Sequence, residues 1–454
     1  MIRHSLAVAL VVALSPFSAQ AADLMQVYEM ARNGDPQLAV AESERLYTRE
    51  GAVQARAALL PQINGQASLD RRRSELDGIS GSYTSTSRNY QLTGSQVLFD
   101  YSRIATLRSQ RHISRAADFQ LDAANDDLIV RTAAAYFNVL VSIESYSAAQ
   151  TNEAAARKQF DYADKRLEVG LAPITDVHEA RDQYEQARAD TILSRNALQD
   201  AYQALSELTG QPVRGLRGLP DDFTPVLPAN RSDVEALVST SISSNPSLQA
   251  SALQVDAAEA SVAAARAGHY PTLSLGASWG KSASWGDSTG GAGNTPDSTA
   301  NTIGLTLNVP IFAGGAVQSG VRQSLAQRDI AQDGLEQQRR ALERNTRNAW
   351  QSVEAGIKVV EARRLAVVSA QAAYDASQVG LEVGTRTVLD LVQNQRTLFA
   401  AQLNYAQARY NFLLDRLLLS QAVGDLDVTE LQDINRLLSV PAEARLQGNE
   451  DLAG

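Results

Sequence analysis

Between Thr272 and Lys281 the chain alternates with period two. Leu273, Leu275, Ala277 and Trp279 are apolar, and Thr272, Ser274, Gly276, Ser278 and Gly280 between them are small or polar. That is the pattern of a strand with two unlike faces. Ile303, Leu305, Leu307 and Val309 repeat it, and the Gly/Ser/Asp-rich run from Gly286 to Ala300 predicts the loop that joins both into a hairpin over about 271–311. A second hairpin, about 62–99, is predicted from Ile63, Gly65, Ala67 and Leu69 with a weaker return strand at Tyr90, Leu92 and Gly94, and Ser80 to Arg88 as its loop. Strands of about ten residues are expected, the length a tilted membrane-crossing strand needs. Four strands cannot close a barrel, and a bilayer tolerates no open edge, so membrane hairpins would have to be completed by other copies of the chain.

Elsewhere the pattern is helical. No proline lies between Pro61 and Pro173 or between Pro310 and Pro441, which leaves room for uninterrupted helices. One is predicted over about 102–168, around Tyr136, Phe137, Val139, Leu140 and Ile143, and would be roughly 100 Å long at the rise of an α-helix. Its counterpart is about 317–381, and shorter helices follow at about 175–209 and 388–423. Their apolar faces are alanine-rich without a sustained a/d register, so such long helices are expected to pack against copies of themselves.

These elements occur twice. Asp35-Pro36 returns as Asn245-Pro246 and Pro61 as Pro271, both 210 positions on; Phe99 answers to Phe312. Leu167-Glu168-Val169-Gly170 returns unchanged as Leu381-Glu382-Val383-Gly384, followed by Asp176 and Asp390 and closed by Gly210 and Gly424, at a separation of 214. The chain therefore reads as a first repeat, 22–230, a second, 231–424, and a tail, 425–454, expected to be partly disordered beyond Pro441. Residues 1–21 have the short basic start, apolar stretch and Ala19-Gln20-Ala21 site of a secretory signal peptide.

Composition narrows the function. With 41 basic and 51 acidic side chains the formal charge is −10, and loss of Arg3 with the signal makes it more negative; nucleic acid is not an expected partner. There is no cysteine, hence no disulfide and no thioether-linked lipid. Gly276-Ala277-Ser278-Trp279-Gly280 matches G-x-S-x-G, but within an alternating strand and with no helix after it, where a nucleophile elbow needs one. His112, His178 and His269 are scattered without metal-site spacing. No phosphate loop or dinucleotide fingerprint occurs, so neither catalysis, metal nor cofactor is expected. Trp279, Trp285, Tyr83, Tyr90 and Tyr270 fit either an interfacial aromatic belt or ordinary strand packing. Phe99 and Phe312 are expected as buried junction residues.

The signal peptide, DLMQVYEMARNGDPQL, the Pro61 and Pro271 corners, the paired hairpins and the twin V-G corners followed by TDV and TVLD together resemble the TolC family of outer-membrane efflux and secretion ducts. The resemblance covers nearly the whole mature chain. It implies a membrane α+β fold: a homotrimer whose chains each give four strands to one twelve-stranded β-barrel in outer-membrane lipid, continuous with a long α-helical barrel in the periplasm. It also implies docking of a periplasmic adaptor and an inner-membrane ABC, RND or MFS transporter. A trimeric coiled-coil surface stalk without a lumen is the alternative, and an uptake porin a further rival.

At the corners alone, Gly170 and Gly384 suit helix ends with positive φ, and Thr175 or Asp176 could cap the next helix. The resemblance implies more: Arg386 of the second turn bonds to Asp176 of the first and holds the mouth closed, and Asp390 faces the pore as a selectivity ring. Thr175, Lys165 and Leu381 join the gate, and Gln393 the ring. Gly170, Leu171, Val177, Gly384, Thr385 and Val388 form the adaptor-docking turns. Leu381 stands where the family has a latch tyrosine, and Gln393 where it has a second pore aspartate. Lys165 replaces a neutral residue and is a candidate partner for Asp176.

Overall fold

A computed structural model describes residues 22–75, 82–171, 173–226, 231, 233–287, 295–444 and 446; the signal segment lies outside them. α1 (Leu24–Gly34) and α2 (Pro36–Ala57) precede strands β1 (Gln62–Glu75) and β2 (Ser82–Phe99), then α3 (Tyr101–Glu168) and α4 (Ile174–Thr209). After a two-residue strand, β3 (Arg217–Gly218), the order recurs as α5 (Val234–Ser244), α6 (Pro246–Arg266), β4 (Thr272–Asp287), β5 (Thr295–Asn308), α7 (Ala316–Glu382) and α8 (Val388–Val423). α9 (Val428–Leu437) and β6 (Val440–Pro441) end the series. The duplication is close in detail: α3 and α7 have 68 and 67 residues, and α4 and α8 have 36 each. Asp35 and Asn245, 210 positions apart, each accept a hydrogen bond at 3.1 Å from the amide three residues on, Leu38 and Leu248, with proline at the first helical position.

The chain divides into two compact units. One comprises Ala39–Ala124 and Ile242–Arg344, and the other comprises Asn125–Ser241 with the segments up to Leu38 and from Asn345 onward.

The first unit holds a four-stranded antiparallel sheet in the order β1-β2-β4-β5. Its register sorts the side chains. Ile63, Gly94, Ala277 and Ile303 stand in one row and Gly65, Leu92, Trp279 and Asn301 in the next, while Asn64-Thr93-Ser278-Thr302 and Gln66-Gln91-Gly280-Ala300 form rows on the opposite face. One face is thus mostly apolar, with Gln96 and Asn301 as polar members, and the other is mostly Gln, Asn, Ser, Thr and Gly. Every strand exceeds the expected ten residues, with 14, 18, 16 and 14. The segment Ser82–Arg88, expected as loop, is strand, paired to β1 throughout and to β4 from Thr84 on. Ser and Thr look like loop residues in isolation, yet they extend readily when neighbours on both sides complete the ladder. β1 and β5 are open edges within the chain. Tyr101 and Tyr270 meet edge to face, centroids 5.7 Å apart, where the sheet gives way to helices. Phe99 and Phe312 are not buried junction residues: they are 44% and 88% exposed.

The second unit is helical. Tyr136, Phe137, Val139, Leu140 and Ile143 of α3, the cluster expected at its middle, are buried with Leu205 of α4 and Leu413 and Leu417 of α8. One stretch of α3 is long and apolar enough by composition to cross a membrane, but 56% of it is buried within the chain, which marks a core helix. The Tyr136 hydroxyl donates to the carbonyl of Arg217 at 2.8 Å and accepts from its amide at 2.9 Å; burial holds its pKa far above that of an ordinary phenol, so it remains a donor. The described part of the tail is folded back onto this unit. Asn435 accepts the amide of Leu24 at 3.0 Å, β6 pairs with β3, and Glu443 accepts from Tyr202 at 2.5 Å and the Gly215 amide at 2.8 Å. Order therefore extends past Pro441, through Ala444; residues 447–454 lie outside the described set.

Candidate functional site

The two corners that join α3 to α4 and α7 to α8 both lie in the helical unit. Each long helix ends in the same six-residue closure. The amide of Leu171 bonds to the carbonyl of Arg166 at 2.8 Å, and that of Thr385 to the carbonyl of Gly380 at 2.8 Å. Between them Gly170 and Gly384 take φ of 74° and 78°, the left-handed conformation that this closure needs and that a Cβ disfavours.

Behind the turns the helix pairs pack through equivalent positions. Val177, Ala163 and Ala180 form a buried cluster with Phe160 and Leu167. In the second pair Ser377 and Asn394 occupy the places of Ala163 and Ala180 and are hydrogen-bonded at 2.5 Å. Val177, expected on a docking turn, is therefore a core residue, 9% exposed; it is the first inward position of α4. What the turns do expose is apolar: Val169, Leu171, Ile174, Val383 and Leu389 are each at least 59% exposed.

The helix starts differ. α8 is capped by Thr387, whose hydroxyl accepts the Asp390 amide at 3.2 Å while the Asp390 carboxylate accepts the Thr387 amide at 2.9 Å. This reciprocal box satisfies two otherwise orphan donors. The Thr387 amide first, then its hydroxyl, hold the Asp390 carboxyl below its ordinary pKa, helped by the charge of Arg386. α4 instead starts after Pro173, which makes no side-chain cap. Thr175, expected as a cap, is the second helical residue and exposed, and Asp176 is the third. The Asp176 carboxylate favours the positive end of the helix, but among the described residues it has no hydrogen bond or ion pair.

Asp176 and Arg386 line one cavity of about 740 Å³, together with Leu381, Arg166, His178 and Leu389. No ion pair joins Asp176 to Arg386 within the chain among the described residues. Lys165 is exposed and is not in that lining; the neighbouring cation there is Arg166, held by a bond from its guanidinium to the Leu171 carbonyl at 3.1 Å and lying 5.7 Å over Tyr162. Gln393 is exposed one turn beyond Asp390. Thr385 bonds through its hydroxyl to the Gly380 carbonyl at 3.2 Å. Val388 begins α8, with its side chain outside the described set.

Three participants escape the sequence. Thr387 and Arg166 looked like neighbours of the named residues, although T-x-x-D before an apolar run is a capping signal. Gly380 reads as an ordinary helix glycine, but a Cβ there would meet Cγ of Arg386 at 2.6 Å. Its absence lets the arginine lie against α7.

A family model for outer membrane efflux proteins matches residues 27–211 and 237–425. The chain is 35% identical over 437 residues to the outer membrane protein TolC of Escherichia coli K12, covering 94% of this chain and 88% of that protein. It is 27% identical to the alkaline protease secretion protein AprF of Pseudomonas aeruginosa, over 90% of this chain and 86% of that one. Among solved structures, the Campylobacter jejuni CmeC outer membrane channel superposes with a TM-score of 0.74 at 17% identity, covering 93% of this chain and 91% of that one.

Proposed function

This chain belongs to the outer membrane efflux protein family, and from that premise we propose that three copies assemble into one exit duct whose closed mouth is latched by Asp176 and Arg386 of neighbouring corners. The family is one of outer-membrane channels for efflux and type I secretion, not of enzymes, and the chain is such a channel. The finer assembly rests on the sheet and the corners. An apolar face, a polar face and two open edges suit a sheet that neighbours complete, lipid outside and a wet lumen within. Three such sheets give twelve strands, and the paired long helices of three chains wall the tunnel.

The observation that carries the latch is the unmatched pair of carboxylates. Asp390 is engaged by its own cap; Asp176 is not, yet lines a cavity with two guanidinium groups. A charge-assisted bond formed across a chain boundary at a constriction biases a closed state and yields to a partner that binds the open one. The exposed apolar tips of the turns offer a periplasmic adaptor its docking surface, and the energy comes from an inner-membrane ABC, RND or MFS transporter. Asp390 retains lone pairs for a cation-attracting ring.

Single-channel conductance in a planar bilayer tests this reading. A small steady current that rises several-fold in Asp176→Ala, Arg386→Ala supports a latched duct. A large current from both proteins moves the gate elsewhere, and no current from either returns the chain to a stalk without a lumen.

A further inference from the structure

We propose that the apolar face of the sheet carries, at its hairpin-loop end, a binding site for a phosphorylated lipid headgroup. The proposal rests on the membrane orientation given above, in which this face meets lipid.

The register places the charges. On the apolar face, Ala67, Tyr90, Lys281 and Thr299 share a row; Leu69 pairs with Arg88 in the next row, Arg71 with Thr86 in the one after, and Arg73 with Thr84 beyond it. From Leu273 to Trp279 this face is apolar along β4 for roughly 20 Å at the rise of a strand, and then four cations appear within four rows. The opposite face at these levels has Ser85, Ser87 and Asn89 on β2, and on β1 Ser68 with Asp70 and Arg72, one charge of each sign. The cations are organised. Asp297 bridges Arg88 at 2.9 Å and Lys281 at 2.8 Å, and Arg88 also lies 5.6 Å over the Tyr90 ring. Arg71 is exposed and forms no ion pair among the described residues. Glu75 is also on this face and the register places Asp287 in the Arg73–Thr84 row, so four cations meet three acids.

Cations facing hydrocarbon or the lipid boundary are costly unless an anion meets them. Trp279 and Trp285, 45% and 42% exposed, flank the Lys281 and Arg88 rows on this face, as interfacial aromatics do. A phosphomonoester on a lipid matches this arrangement: its acyl chains lie on the apolar band and its oxygens reach the guanidinium groups. The cost of the exposed cations then becomes an anchoring energy, and the lipid fixes the height of the sheet in the bilayer.

Native mass spectrometry of the detergent-solubilised full-length assembly provides the test, with diphosphoryl lipid A as the probe and the same lipid enzymatically dephosphorylated as its control. We expect retention of the diphosphoryl form, and about thirtyfold weaker retention in Arg71→Gln, Arg73→Gln, given about 1 kcal/mol per basic residue near an anionic surface. Arg88→Gln, Lys281→Gln is expected to weaken it as well, which guards against a defect particular to β1. Equal retention of both lipids, or of the probe by wild type and both variants, overturns the site. Displacement by inorganic phosphate overturns the lipid assignment in favour of a small-anion site. Conductance recorded on the same preparations separates the two failures: current without lipid retention refutes this site alone, and absence of both removes the membrane orientation beneath it.

Discussion

The corner after α3 and the corner after α7 have one sequence, L-E-V-G, one turn geometry and one glycine conformation, yet they handle their carboxylates in opposite ways. At the second, Thr387 and Asp390 close on each other and the helix start is self-sufficient. At the first, Pro173 stands in place of the threonine, and the Asp176 carboxylate has no partner among the described residues. The arginines are also exchanged: Arg166 sits on the helix of the first corner where the second has Gly380, and Arg386 sits in the second turn, with Gly380 clearing its path. A duplicated element has kept what the fold requires of it and diverged where one copy can act on another. The same divergence runs behind the turns, where Ala163 and Ala180 face each other in one pair and Ser377 bonds Asn394 in the other.

The largest effect that would break this comparison is on gating. Asp176→Arg and Arg386→Asp are each expected to raise conductance several-fold, and the two together to restore the small current; a double variant that leaks as much as the singles removes the pairing. Gly380→Ala, which touches no charge, is expected to raise conductance as well, because its Cβ displaces the Arg386 side chain.

Next come the glycines. Gly170→Ala and Gly384→Ala are each expected to cost about 1–2 kcal/mol of stability from left-handed strain, read as denaturation midpoints. The two costs are expected to match, because neither site has another atom within 4 Å of the added Cβ. Unequal costs would mean that the turns are less alike than their angles. Thr387→Ala is expected to lose about 1 kcal/mol, whereas Thr175→Ala at the uncapped corner is expected to leave stability unchanged.

The smallest effect is on pH. Asp390 has a pKa lowered in the folded protein from its ordinary 3.8, so its stabilising contribution is present above that value and is lost as pH falls through the lowered one. Hydrogen-exchange protection of the Thr387 amide, compared after correction for intrinsic rates, is expected at pH 5 and lost in acid below 3.8, and Asp390→Asn abolishes that dependence. Protection unchanged through this range would contradict the bonded carboxylate.

Much of this was legible in the residues. The duplication, both hairpins, the long proline-free helices and the glycine corners follow from periodicity and from repeated letters, because these features are local. Strand ends at Ser82–Arg88 were not legible, since a run of serines and threonines is extended only when both neighbours arrive. Nor was the inward turn of Val177, one residue beyond an exposed aspartate. The partner of Asp176 is beyond any single-chain pattern, because the first corner lacks it and the pairing proposed for it crosses to another copy.

The returning tail sets a schedule for biogenesis. Asn435 receives the amide of Leu24, and Glu443 holds Tyr202 and Gly215, so the first helix of the helical unit is anchored by a residue 411 positions later in the chain. A ribosome delivers these ends minutes or seconds apart, and an export channel passes them in the same order. Until residue 443 arrives, the unit lacks this clasp, so its closure waits on both of the segments that the clasp joins.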